Sequence, residues 1–138
     1  MKKDISFSPV SGVYVTIARR LNEVNQTEWH VYLINRNNAP ITNVFVTSRG
    51  YSGDDAKTRD EQERTSTLRH FFAEVLPSQS VIIEPIMSGV FHLNNEYWVS
   101  YFVGNQVFDK KFVFVPDSIV EQNLVDIEEL GLQGILHE

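Results

Sequence analysis

Between Trp29 and Tyr51 the chain reads WHVYLINRNNAPITNVFVTSRGY, and its period-two alternation narrows the fold more than any other feature. Successive side chains of an extended strand point to opposite faces, so an apolar residue at every second place marks a half-buried strand. Trp29, Val31 and Leu33 alternate with His30, Tyr32 and Ile34. A polar break follows over Asn35–Pro40, and then Val44, Val46 and Ser48 oppose Phe45, Thr47 and Arg49. Two strands and a turn are the expectation.

The same pattern recurs along the chain. It predicts further strands over Gly12–Leu21, Ser66–Val75, Ser80–Glu84, Tyr97–Val103 and Val107–Val115. Gly104–Asn105 reads as a two-residue hairpin turn, because both residues tolerate positive φ. Leu76–Gln79 reads as a second turn, and the mixed-charge stretch Ser52–Arg64 as an exposed, mobile loop. Short strands at regular spacing imply an all-β fold: an immunoglobulin-like antiparallel β-sandwich of about seven strands with a short C-terminal helix or tail. Trp29 is a candidate core anchor.

The organisation expected is a sandwich domain over 1–115 and an acidic tail over 116–138, packing on the domain or on a partner subunit. In DSIVEQNLVDIEEL, Ser118 suits a helix N-cap, Glu121 or Gln122 a capping box, and Ile119, Val120, Leu124, Ile127 and Leu130 form a loose helical stripe. The last segment, GLQGILHE, reads as a final strand, an edge cover or a contact with a partner.

At 138 residues the chain fits one domain with a real core. The absence of cysteine excludes disulfides, thiolate metal sites and a cysteine nucleophile, and leans towards a reducing compartment. In MKKDISFSPVSG, Asp4 and Pro9 stand where a signal peptide needs an apolar run, and no segment reaches the roughly 18 apolar residues of a membrane span. A soluble cytoplasmic protein is expected. The net charge of −6 resides in the tail, in Asp117, Glu121, Asp126, Glu128, Glu129 and Glu138, whereas the remaining body is neutral. Such a distribution repels phosphate backbones and argues against nucleic acid as the main partner.

Catalytic motifs are missing. His30, His70, His92 and His137 show no metal-ligand spacing. Asp54, Asp55 and Asp60 do not follow an EF-hand pattern, so a weak loop-borne calcium site is the most they suggest. Neither G-x-S-x-G, Walker A nor G-x-G-x-x-G occurs, and no cofactor is expected. One cluster could hold an anion or a ligand. Arg49 and Tyr51 end the third strand, and Arg69 and His70 begin the fourth. Alternation puts both arginines on one face and His70 on the other. The planar guanidinium fork suits carboxylate or phosphate. The blander reading pairs the arginines with acidic groups of the adjoining loop.

The opening block resembles a pattern common in bacterial immunoglobulin-like sandwiches, in which a strand ends in Asn, a polar turn carries a Pro-Ile pair, and an N-V-x-V strand answers. More widely, the order of WHVYLIN, VTSRGY, TSTLRHFF, LNNEYWVSYF and FDKKFVF resembles a family of short bacterial β-sandwich proteins of unknown function. Some members carry the name phenylalanyl-tRNA synthetase subunit alpha. The resemblance spans Gly12–Val115 and implies the fold; the name implies tRNA-related chemistry. A synthetase core is far longer and needs arginines for ATP and the acceptor end, whereas this chain has 138 residues and an acidic tail.

Aromatic residues occupy both faces of the fourth, sixth and seventh strands: Phe71, Phe72, Tyr97, Trp98, Tyr101, Phe102, Phe108, Phe112 and Phe114. A two-layer sandwich needs one apolar face per strand. The excess favours a non-catalytic interaction module, expected to form a homodimer through the outer face of strands six and seven. The alternative is an enzyme or accessory subunit with a site at Arg49, Tyr51, Arg69 and His70.

Overall fold

The computed structural model describes residues 11–53 and 62–137. Its strands are β1 (Val13–Leu21), β2 (Thr27–Asn35), β3 (Ile41–Tyr51), β4 (Leu68–Val75), β5 (Ser80–Ile86), β6 (Asn94–Val103), β7 (Gln106–Phe114), β8 (Val125–Ile127) and β9 (Leu132–His137). They build two antiparallel sheets. One has the order β5-β2-β1-β9-β8, the other β4-β3-β6-β7. The fold is an all-β sandwich.

The alternation in the sequence becomes the core. Val13, Val15 and Ile17 of β1 and Val31 and Leu33 of β2 face Val44 and Val46 of β3 and Tyr97, Val99 and Tyr101 of β6. Phe112 and Phe114 complete this layer, and Ile135 enters it from β9. Each fully buried aliphatic side chain contributes about 1.5–3 kcal/mol through water exclusion. Trp29 is half-buried and meets Phe91 edge-on at 5.3 Å.

Three connections have identifiable local causes. Val103 pairs with Gln106 around Gly104, whose φ is 58°, while Asn105 stays at negative φ. That leaves a single positive φ, at the first central position, as in a type II′ turn. The turn after β2 is organised by Asn35, which is fully buried. Its Nδ2 donates to Ala39 O (3.0 Å) and Val75 O (3.1 Å), and its Oδ1 accepts from Asn37 N (3.0 Å). Between β4 and β5, Leu76 N donates to Gln79 Oε1 at 2.7 Å.

Two elements differ from the sequence reading. Strand β5 runs past Pro85 to Ile86. The register shifts between Val31↔Glu84 and Tyr32↔Ile82, which makes Ile83 an extra residue. An edge strand tolerates a proline because one side of its backbone lacks a partner. The helix expected around Ser118–Leu130 is replaced by a single 3₁₀ turn, Glu121–Asn123, followed by β8. The Ser118 hydroxyl donates back to Val115 O at 2.7 Å and does not cap a helix, and Val120 is already extended. Val125 and Ile127 are β-branched and find a pairing edge in β9, which favours a strand. In turn β9 pairs with β1, from Val15↔His137 to Arg19↔Gln133, and Thr16 Oγ1 donates to Ile135 O at 2.8 Å.

The stretch expected to form a mobile loop is closed at its base. Ser52 N donates to Glu63 O and Thr65 N to Gly50 O, both at 2.8 Å. Residues 54–61, with Asp54, Asp55 and Asp60, lie outside the described residues. Among the described residues no helix is long and apolar enough to cross a membrane, and no group of three or more His, Asp or Glu could hold a metal ion.

Candidate functional site

Polar side chains converge where the β4 edge of one sheet approaches the β5 edge of the other. Glu84 of β5 is the centre. Its Oε1 accepts from Ser48 Oγ at 2.7 Å and is 2.7 Å from His70 Nε2. An ionised carboxylate only accepts, so the imidazole proton toward it sits on Nε2. The hydroxyl of Tyr97 also faces Glu84. Burial raises the Tyr97 phenol far above its ordinary range, and the negative charge of Glu84 adds to that shift. A cavity of about 210 Å³ opens beside Ser48, Glu84 and Tyr97, walled by Leu68, Ile86 and Met87. That is smaller than the roughly 300–1,000 Å³ of small-molecule sites.

Local sequence explains each position. Ser48 follows Val44 and Val46 on the inward face of β3, and His70 lies opposite Val46 in the register, so it too points inward. Tyr97 precedes Val99 and Tyr101 on the inward face of β6. Chemically the group is a satisfied hub. The Ser48 proton goes to a carboxylate and not to an imidazole, so the serine has no base of the triad type.

A second cluster lies on the outer face of the same sheet. Glu96 of β6 is 3% exposed, held beneath two residues of β3. Arg49 Nε donates to its Oε2 at 3.0 Å and Arg49 Nη2 to Oε1 at 3.4 Å. The Tyr51 hydroxyl donates to Oε1 at 3.2 Å, and the guanidinium lies over the Tyr51 ring at 5.1 Å. The hydrogen bond and the charge of Glu96 raise the pKa of Arg49.

The structure therefore separates the four residues singled out in the sequence. Arg49 and Tyr51 meet, but on Glu96. Arg69 is exposed on the outer face of β4, opposite Thr47, and among the described residues no acidic group pairs with it. His70 belongs to the inner hub. The acidic partner of Arg49 comes from β6, not from the loop beside it. Sequence reading missed Ser48, Glu84, Tyr97 and Glu96. The available signals were a single carboxylate inside each of two apolar strands, SVIIEPI and NNEYWVSYFV.

The outer face also carries the unburied aromatics. Phe45 and Phe71 are each 53% exposed and their rings lie 4.9 Å apart. Trp98, 44% exposed, stands diagonally beside Phe45. Its Nε1 donates to Asp109, and Lys111 lies over its ring at 4.8 Å. Inward, Tyr97, Tyr101, Phe112 and Phe114 are buried, so the aromatic excess of the sequence resolves into a core layer and a surface patch.

Comparison of the chain with family models, with curated proteins and with solved structures finds no match.

Proposed function

We propose that the chain is a non-catalytic protein-interaction module built on an immunoglobulin-like sandwich, and that it works through the outer face of the β4-β3-β6-β7 sheet. The observation that carries the reading is the adjoining exposed trio Phe45, Phe71 and Trp98. Large aromatic side chains left in water together mark a surface that buries itself against a partner. The cationic groups Arg49, Arg69 and Lys111 stand around the trio on the same face, supplying the polar rim of such a surface. The immunoglobulin-like assignment is supported by connectivity. Strands β1-β2-β5 lie in one sheet and β4-β3-β6-β7 in the other, a division of strands like that of the fold, with β9 and β8 added beyond β1.

The enzymatic alternative has less support. The Arg49 fork is engaged by Glu96, Ser48 has no base, and the cavity is small. A tRNA-related role sits poorly with a net charge of −6.

The test compares the wild-type protein with a Phe45→Ser/Phe71→Ser variant, each immobilised and exposed to the same cell extract. Both side chains are exposed, so the variant is expected to fold. A protein retained by the wild type and lost by the variant is the expected result. Identical retention by both would remove the outer face from the reading.

A further inference from the structure

We infer that β4 pairs edge to edge with β4 of a second copy of this chain, joining the two four-stranded sheets into one continuous sheet. The inference rests on the interaction reading above and adds the partner and its geometry.

A sheet edge exposes unpaired N–H and C=O groups, and folded proteins protect such edges by shortness, proline, bulges or lysines. Three of the edges here carry these devices. Strand β8 has only three residues. Strand β5 has Pro85 and the bulge at Ile83. Strand β7 carries Asp109, Lys110 and Lys111 in succession. Strand β4, LRHFFAEV, is eight residues long, with no proline, no lysine and no register shift against β3. Leu68 and Phe71 on it are 48% and 53% exposed.

Among the described residues the remaining edges are guarded, so the edge of another copy best able to accept β4 is β4 itself. Antiparallel pairing about a two-fold axis is self-complementary. At one end of the strand Val75 O is already bonded to Asn35 Nδ2, which leaves Leu68–Glu74, with Phe71 at its midpoint. A two-fold axis through Phe71 sets Phe71 against Phe71, His70 against Phe72 and Arg69 against Ala73, and opposes no like charges. It also sets the outer faces of the two copies on the same side of the joined sheet, so their Phe45–Phe71 pairs adjoin in one aromatic cluster.

The chain has no cysteine, so Phe71→Cys introduces a single thiol. Directly opposed strand residues have Cβ atoms about 4.5–5.5 Å apart, close enough for a disulfide with slight adjustment. Ser100→Cys, on the same face of β6, is the control. The full chain is expected to be a dimer by light scattering and to dissociate on dilution. Oxidised Phe71→Cys is expected to be trapped as a covalent dimer while Ser100→Cys is not. Ala73→Lys, which faces Arg69 twice across the axis, is expected to weaken the dimer about tenfold, and adding Arg69→Glu to restore it. A monomer at every concentration overturns the inference, and the capture experiment then still decides the interaction reading on its own. A dimer that Ser100→Cys traps as readily, or that ignores Ala73→Lys, overturns edge pairing in favour of face-to-face stacking.

Discussion

The carboxylate of Glu84 lies between the sheets with Ser48, His70 and Tyr97 aimed at it. Glu84→Ala would leave the Ser48 hydroxyl without its acceptor and the Tyr97 hydroxyl without the carboxylate it faces, in residues only 3% and 2% exposed. Each such orphan costs about 1–3 kcal/mol. The variant is expected to lose about 3 kcal/mol in urea unfolding, and Tyr97→Phe about 1 kcal/mol, because the latter removes a donor and leaves no orphan hydroxyl. Equal losses in the two variants would mean that the carboxylate is not the hub. Sequence reading reached His70 by its place early in the fourth strand and set it on the face opposite the arginines, where it lies. It could not reach Ser48 or Glu84, because the bonds joining them to one another and to His70 cross 36 and 14 residues and exist only once the sheets are stacked. Arg49 and Arg69 share the outer face, as alternation requires, but alternation carries no register, so the contact between Arg49 and Glu96 was not readable.

Strands with strong period-two patterns were legible as elements, and their faces with them; Val99 and Tyr101 point inward and Trp98 outward. In the tail the last strand was among the readings open for GLQGILHE, but the segment before it was not legible, because Ile119, Leu124 and Ile127 satisfy a helical stripe and a strand-and-turn arrangement equally well. What decides between them is an edge of β1 that only the fold provides. Gly134 marks how closely β9 approaches that edge. A Cβ added there would lie 2.7 Å from Thr16 Oγ1, 2.9 Å from Ile17 O and 3.0 Å from Ala18 Cβ. The Ile17 oxygen is backbone and cannot swing aside. Gly134→Ala is therefore expected to cost about 1–3 kcal/mol, and to raise amide exchange along β9. An unchanged unfolding midpoint would show that β9 has room against β1. Removing the segment after Val115 would likewise strip Ile135 from the core and bare the edge of β1, so a truncation of that kind reports on folding as much as on association.

Across the whole molecule, the charge asymmetry seen in the sequence is partly neutralised by the fold. Glu129 is bound by Arg36, whose Nη2 donates to Oε1 at 3.0 Å, and Glu121 lies 3.7 Å from Arg19. The hydrogen bond from Arg36 holds the Glu129 carboxyl below its usual range. A depressed carboxyl adds stability above its unfolded pKa and loses it as pH falls through the folded value. Acid titration of stability is thus expected to soften below about pH 4.3, and Glu129→Gln to flatten that limb by up to about 1 kcal/mol. At the alkaline end the sign reverses. Burial pushes the Tyr101 phenol up to about 12. Its neutral form is fully stabilising below an unfolded value of about 10, and that contribution drains away as pH climbs through the folded value. Tyr101→Phe is expected to lessen the alkaline loss between these values, and an unaltered alkaline limb would contradict the assignment. The fold class and the acidic tail were readable from composition and period. The arginines that receive the tail were not, because Arg19 and Arg36 sit in ordinary strand and turn sequence.

The pairing of β1 with β9 also has a consequence in time. Thr16 and Ile135 are bonded across 119 residues, so the first strand of the sheet waits for the last. Contacts so distant in sequence slow folding, because chain entropy is lost well before the contact forms. During synthesis β1 and β2 emerge early and can form a hairpin whose outer edge stays open until β9 leaves the ribosome. The nascent chain therefore keeps that edge exposed while β3 to β8 are made, and a pause between β8 and β9 would prolong the stage at which it is most prone to misassociate.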